Sequence, residues 1–214
     1  MWISHDHYDH LDYRAIVDLQ NRVKVFYVPL GIKGHMQRWG IDENKIVEFD
    51  WYETRQYQDV EFAFAPSRHF SGRALNDRNK TLWGSWVIGA ENLNIYFSGD
   101  GGYSDTFKQL GEKFGPFDIV FLENGAYSLD WAQIHMLPEE TVQASIDLKA
   151  NVLFPIHWGK FDLALHLWDE PIKRLRKEAR RKEVTVATPL VGQVFGLGDL
   201  PNDPWWESIQ GQGQ

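Results

Sequence analysis

The stretch Ser4-His5-Asp6-His7-Tyr8-Asp9-His10 decides the fold and most of the chemistry of this chain. It reads His-x-His-x-Asp-His, packing three imidazoles and a ligand-competent carboxylate into six positions. Side chains alternate along an extended backbone, so His5 and His7 point to one side. Asp9 and His10 are neighbours on a turn and face a second position. Imidazole and carboxylate are the usual protein ligands of zinc where cysteine is absent, and this chain has no cysteine. One loop can therefore serve two metal ions. A merely solvated polar loop has no need of these residue types at this spacing.

Further metal-competent side chains follow apolar runs downstream. His69 lies in Ala65-Pro66-Ser67-Arg68-His69-Phe70, after an alternating stretch. Asp100 lies in Tyr96-Phe97-Ser98-Gly99-Asp100-Gly101-Gly102, where a strand runs into a glycine turn. His157 lies in Val152-Leu153-Phe154-Pro155-Ile156-His157-Trp158-Gly159. Each sits at the C-terminal end of an expected strand, where loops carry function. Any one alone would read as an ordinary turn or capping residue; together with the first motif they read as one site.

These motifs, with Asn76 to Trp86, Phe97 to Tyr103, Phe114 to Asp118 and Ile156 to Gly159, resemble the metallo-β-lactamase-fold hydrolases. The segments Leu82-Trp83-Gly84-Ser85-Trp86 and His157-Trp158-Gly159 resemble the branch containing N-acyl-phosphatidylethanolamine phospholipase D and its bacterial relatives. The resemblance runs over roughly residues 3 to 175. It implies an αββα sandwich and two zinc ions, with Mn2+ or Fe2+ as substitutes. His5, His7 and His69 would hold the first ion, and Asp9, His10 and His157 the second, with Asp100 bridging them. Metals about 3.5–4 Å apart can share a hydroxide and stabilise attacking and leaving oxygens. The implied reaction is attack of that hydroxide on a phosphodiester of a small molecule or N-acyl phospholipid. A lactonase or other ester hydrolase is the alternative within the class. A diiron redox relative would carry Glu where His7 stands, so His7 favours hydrolysis. His135, before Pro138-Glu139-Glu140, matches a histidine on the substrate side of the branch's site; equally, it reads as a loop residue before a helix starting at Pro138. His35 and His166 lack a matching motif and read as surface or packing residues.

The chain has 214 residues and reads as one domain over 1–200 with a loose tail over 201–214. Its net charge of −8 argues against a nucleic-acid partner. No apolar run is long enough for a membrane helix, and a cytoplasmic or peripheral-membrane location is expected. Aromatics are 14% of the residues, with ten Trp. Trp83, Trp86, Trp158 and Trp168 read mainly as core, with a pocket wall for an apolar substrate as the alternative.

Periodicity predicts helices over Leu11–Arg22, Pro138–Ala150 and Pro171–Glu183, and a short helix or turn over Gly31–Gly40. Strands are expected over Val23–Val28, Val60–Ala65, Asp118–Glu123 and Val152–Ile156. A hairpin is expected over Leu82–Ala90 and Leu93–Ser98, and two last strands over Val184–Phe195. The Pro171–Glu183 helix is basic and amphipathic, a pattern that suits either a membrane surface or ordinary packing of its apolar stripe. In the resembled family the metal motif follows a first set of strands, whereas here His5 follows Met1 directly by four residues. This predicts a fragment or shortened product with an uncovered apolar sheet face. Such a face would favour self-association or a complementing segment, and an inactive metal-binding module is the alternative of another class.

Overall fold

In a computed structural model, residues 1–160 and 163–209 are described. Two sheets are sandwiched between two helical layers. The larger sheet runs β3 (Thr54–Tyr57), β4 (Val60–Ala65), β5 (Ser85–Ala90), β6 (Leu93–Phe97), β7 (Phe117–Glu123) and β8 (Ala150–Ile156) in spatial order. Strands β3 to β6 pair antiparallel; β6, β7 and β8 pair parallel. One face carries Ala63, Val87, Tyr96, Val120, Leu122 and Leu153. It is covered by α3 (Thr106–Lys113), α4 (Pro138–Asp147) and α5 (Glu170–Arg181) in one core cluster. The second sheet is the parallel pair β1 (Phe26–Pro29) and β2 (Ile46–Phe49). Phe26, Val28 and Ile46 pack under α1 (Tyr13–Leu19) and α2 (Lys33–Arg38). Tyr27 and Phe49 meet Phe64 and Trp86 of the large sheet. The layers are thus α, β, β, α, as expected.

Local chemistry explains the elements. Asp12 caps α1 by accepting from Ala15 N–H at 2.7 Å. Pro138 opens α4, where Glu140 folds back to accept from Leu137 N–H at 2.8 Å. The apolar stripe Ile172, Leu175 and Ala179 of α5 is buried in the core. That stripe is therefore unavailable to a membrane, and ordinary packing accounts for the helix. Its cations are largely engaged within the fold: Arg174 with Glu139 and Glu170, Lys173 with Asp169, Arg181 with Glu178.

Two expectations are corrected. Val184–Phe195 forms no strands; only an isolated bridge from Val186 to Leu153 extends the sheet. Leu190, Val191 and Val194 are exposed, and Leu190 and Val191 wall a cavity instead. The tail is not loose from Pro201 on, because Trp205–Ile209 make a 3₁₀ turn that buries Trp206 in the main core; residues 210–214 lie outside the described residues. Strands β2 and β3 and helix α3 lie outside the elements that periodicity predicts. No described helix is long and apolar enough to cross a membrane.

The sheet face opposite α3 to α5 is covered unevenly. Cross-strand register lines up Phe62, Ile88, Ile95, Ile119 and Val152 in one row, and Phe64, Trp86, Phe97, Phe121 and Phe154 in the next. The small sheet and the 187–200 loop bury part of this surface, but Phe62, Ile95, Phe97, Phe121 and Phe154 stay half-exposed. An apolar face of this kind favours association. Light scattering at micromolar concentration is expected to give a mass above the 24.9 kDa of one chain. A monodisperse monomer with a cooperative melt would show that the existing cover suffices.

Candidate metal centre

Strands β4, β6, β7 and β8 run in the same direction, so their C-terminal ends share one sheet edge. His69, Asp100, Glu123 and His157 lie at or just beyond those ends. The loop bearing His5 to His10 is brought to the same edge by residues 2 and 3, which pair along β1: Trp2 bridges Tyr27, and Ile3 N–H donates to Tyr27 O at 3.0 Å. Trp86 Nε1 ties this run to the large sheet through Ile3 O at 2.9 Å. Beyond it, His10 and Leu11 N–H groups both reach back to His7 O, closing the turn that sets Asp9 and His10 beside the first two histidines.

All seven expected ligand residues converge. His5, His7 and His69 form one group and Asp9, His10, Asp100 and His157 another. His7 Nδ1 lies 2.9 Å from His5 Nε2 and 3.3 Å from His69 Nε2. A tetrahedral zinc with nitrogen ligands at about 2.0–2.1 Å sets them about 3.3 Å apart, so these separations suit a shared cation. Asp100 Oδ2 stands between the groups. It lies 3.1 Å from His10 Nε2, 3.5 Å from His157 Nε2, 3.9 Å from His5 Nε2 and 4.0 Å from His69 Nε2. Asp9 Oδ2 completes the second group, 3.3 Å from His157 Nε2 and 3.5 Å from His10 Nε2.

The donor set fits metal ions on its own chemistry. His69 Nδ1 faces the Ile134 carbonyl at 3.0 Å, so Nδ1 carries the hydrogen and Nε2 offers its lone pair inward. His5 Nδ1 faces Ser4 Oγ at 3.0 Å, which leaves its Nε2 free for the centre in the same way. Asp100 Oδ1 is buried without a hydrogen-bond partner among the described residues. Buried polar atoms are rarely left so. Burial holds His5 well below the usual imidazole range and takes His69 down to about 3, so both are neutral and ready to ligate. Burial works against Asp100, yet the neighbouring imidazoles of His10, His157 and His5 hold its carboxyl well below the usual range. His157 is also opposed by burial, but its hydrogen bond to Asp9 and the charges of Asp100 and Glu123 raise it to about 9. Those same carboxylates attract a cation placed between them.

The glycine before Asp100 is required by space and conformation. Gly99 has φ +60°, and a Cβ there would sit 2.6 Å from Ser4 Cβ, so this turn rests directly on the histidine loop. His157 itself has φ +63°, uncommon for a residue with a side chain and frequent at functional sites.

Several supporting residues were not singled out in the sequence. Asp6 points away from His5 and His7, as alternation requires, and is buried; it accepts from Gly72 N–H at 2.7 Å and Thr81 Oγ1 at 3.1 Å. Arg73 donates to Asp6 O and Leu11 O and lies over the Tyr8 ring, clamping the loop from outside. His35, expected to be structural, lies 3.7 Å from Asp6 behind the loop. His166 stacks on Tyr127. His135 does lie at the centre: its ring is parallel to His157 at 5.6 Å and edge-on to His69 at 5.4 Å. Burial pushes the Glu123 carboxyl up, and the hydrogen bond from His135 Nδ1 to it raises His135 against that ring's own burial.

Two cavities meet at the centre. A cleft of about 360 Å³ includes His7, His69, Asp100, His135 and His157, with Phe70 and Trp131 as walls. An apolar cavity of about 810 Å³ shares Asp9, Ala126, His157 and Leu163 with it and extends between Phe154, Trp158, Trp168, Leu190 and Phe195. Trp158 and Trp168 are thus wall residues, whereas Trp86 is core.

A buried His/Asp cluster at the edge of an αββα sandwich, fed by a His-x-His-x-Asp-His loop, defines a class. Residues 2–158 match the beta-lactamase superfamily domain, and the chain belongs to that family. It is 46% identical to an uncharacterized protein of Mycobacterium tuberculosis over 95% of this chain and 56% of that one. It is 34% identical to the N-acyl-phosphatidylethanolamine-hydrolyzing phospholipase D 1 of Caenorhabditis elegans over 92% of this chain and 60% of that one. The chain therefore spans little more than half the length of these relatives. Among solved structures, a metallo hydrolase of Ignicoccus hospitalis shares the fold, with TM-score 0.68 at 18% identity over 88% of this chain and 74% of that one.

Proposed function

We propose that this chain carries a dinuclear metal site, occupied by zinc, that hydrolyses phosphodiesters bearing an apolar chain. The observation that carries the reading is the pair of ligand groups meeting at Asp100 beside a large apolar cavity. His5, His7 and His69 would hold one ion, Asp9, His10 and His157 the other, and Asp100 both. Zinc suits an all-imidazole and carboxylate set, with Mn2+ or Fe2+ as the ions that could replace it. When bound, two such ions supply an activated water near neutral pH and neutralise charge on phosphoryl oxygens.

The chain's own residues do the rest. Asp9 and Asp100 cancel only part of the charge of two divalent ions, so the centre stays attractive to an anionic diester. His135 lines the same cleft as Asp100 and would meet the substrate or a cleft water through Nε2. The cavity between Trp158, Trp168 and Phe195 would shelter an acyl chain whose polar end lies at Asp9 and His157, and it excludes water there. The relation to an N-acyl-phosphatidylethanolamine phospholipase supports a lipid of that kind.

A panel tests the reading: N-acylphosphatidylethanolamine, bis-p-nitrophenyl phosphate, an acyl lactone and a β-lactam. Faster cleavage of the diesters is expected, with the acylated lipid preferred. Turnover of the lactone or the β-lactam without diester turnover would move the protein to another ester or amide substrate.

A further inference from the structure

Glu123 ends β7 with its side chain wholly buried and with no lysine or arginine beside it among the described residues. Its contacts are few. Oε1 accepts from Met136 N–H at 2.5 Å, and Oε2 accepts from His135 Nδ1 at 3.3 Å. A buried charge is costly unless paired, and a neutral side chain would satisfy the Met136 amide as well. What a carboxylate does that a neutral group does not is accept from the imidazole without ever donating to it.

We infer that Glu123 is a positioning residue for substrate. Its carboxylate fixes His135 in the one rotation and tautomer that turns Nε2 into the cleft, beside the ligand group of Asp100 and His157. The inference rests on the reading of the cleft as a substrate site. The plane of the His135 ring is already set by His157, 18° from parallel, and by His69 at its edge. Stacking leaves the half-turn about χ2 open, and that half-turn would put carbon where each nitrogen now stands. Glu123 closes it by holding Nδ1–H. His135 Nε2 has no hydrogen-bond partner among the described residues, and the ring lines the cleft. With Nδ1–H held in this way, Nε2 presents its lone pair to the cleft, where it would accept a hydrogen bond from water or a substrate hydroxyl. The logic is that of a carboxylate holding a catalytic imidazole in its working tautomer.

Glu123→Gln tests this with little change of shape. The amide keeps an acceptor for Met136 but offers N–H to Nδ1, which drives the hydrogen of His135 to Nε2. In the metal-loaded wild-type chain, 15N-edited NMR should find His135 protonated at Nδ1; in the glutamine variant the signal should move to Nε2. Metal content should be unchanged, while kcat on bis-p-nitrophenyl phosphate should fall about 10- to 100-fold, as for other residues that orient a reacting group. Glu123→Asp should keep the Nδ1 signature. In a His135→Ala background, Glu123→Gln should cost nothing more, because its effect passes through the ring. A wild-type ring with Nδ1 bare would overturn the inference, and so would full turnover by a folded, metal-loaded Glu123→Gln chain. The wild-type tautomer decides even if the variant does not fold. Failure to cleave any diester, with the tautomer as stated, would instead count against the substrate reading.

Discussion

Asp100→Asn is expected to remove most of the bound metal from both positions and to lower turnover by at least about 100-fold. Asparagine keeps the shape but loses the charge at the one atom that lies within 4.0 Å of four imidazole nitrogens. A neutral amide at this buried point would leave two cations facing each other with only Asp9 to offset them. It would also turn an N–H group toward nitrogens that need to offer lone pairs. The effect on both ions together separates this residue from the others. His157→Ala should empty mainly the second position and leave the group of His5, His7 and His69 able to bind. Metal analysis and turnover on the same preparations decide the point. Full metal content with full activity in the Asp100→Asn chain would remove Asp100 from the role of shared ligand.

The second large effect is expected at a residue that touches no metal. A Cβ added at Gly125 would lie 2.1 Å from the His157 carbonyl oxygen. No flexible side chain is there to yield, so the backbone of His157 must move, and that residue already holds φ +63°. Gly125→Ala should therefore shift the imidazole away from Asp9 and Asp100. We expect loss of the second ion with retention of the first, and a fall in turnover of about 100-fold, the scale of a 1 Å misplacement in an active site. Overpacking of this kind costs about 1–3 kcal/mol of stability, which a thermal melt would register. A Gly125→Ala chain with two ions, wild-type turnover and an unchanged melt would show that the β7 and β8 ends are less tightly joined than their geometry implies.

The parts of the site that were legible in the sequence share one property. His5, His7, Asp9 and His10 announce themselves through local spacing, and His69, Asp100 and His157 each close an apolar run. Alternation then suffices to put His5 and His7 on one side, where the structure has them 2.9 Å apart. Asp6 lies in the same motif, but its partners Gly72 and Thr81 are 66 and 75 positions away, and no local pattern reports such contacts. Glu123 is similarly hidden, because a strand-end glutamate is ordinary until the fold brings His135 against it.

The secondary structure divides the same way. Strands β4 to β8 carry apolar alternation or apolar runs and were visible. Strand β3 is exposed at every position and pairs on one side only, so no burial pattern marks it. The apolar residues from Leu190 to Phe195 suggested strands because hydrophobicity alone does not distinguish a sheet from a cavity wall. Trp206 lies in a polar tail, yet it packs with Trp158 and under Arg176, contacts that only tertiary structure shows.

The central claim is that one chain holds two divalent ions through seven side chains meeting at Asp100. Elemental analysis of protein purified without chelator, or reconstituted with zinc and freed of excess, tests it most directly. The account predicts about two ions per chain, with hydrolysis lost on chelation and restored as the second equivalent returns. A chain that binds no metal after reconstitution, while folded by circular dichroism, would contradict it.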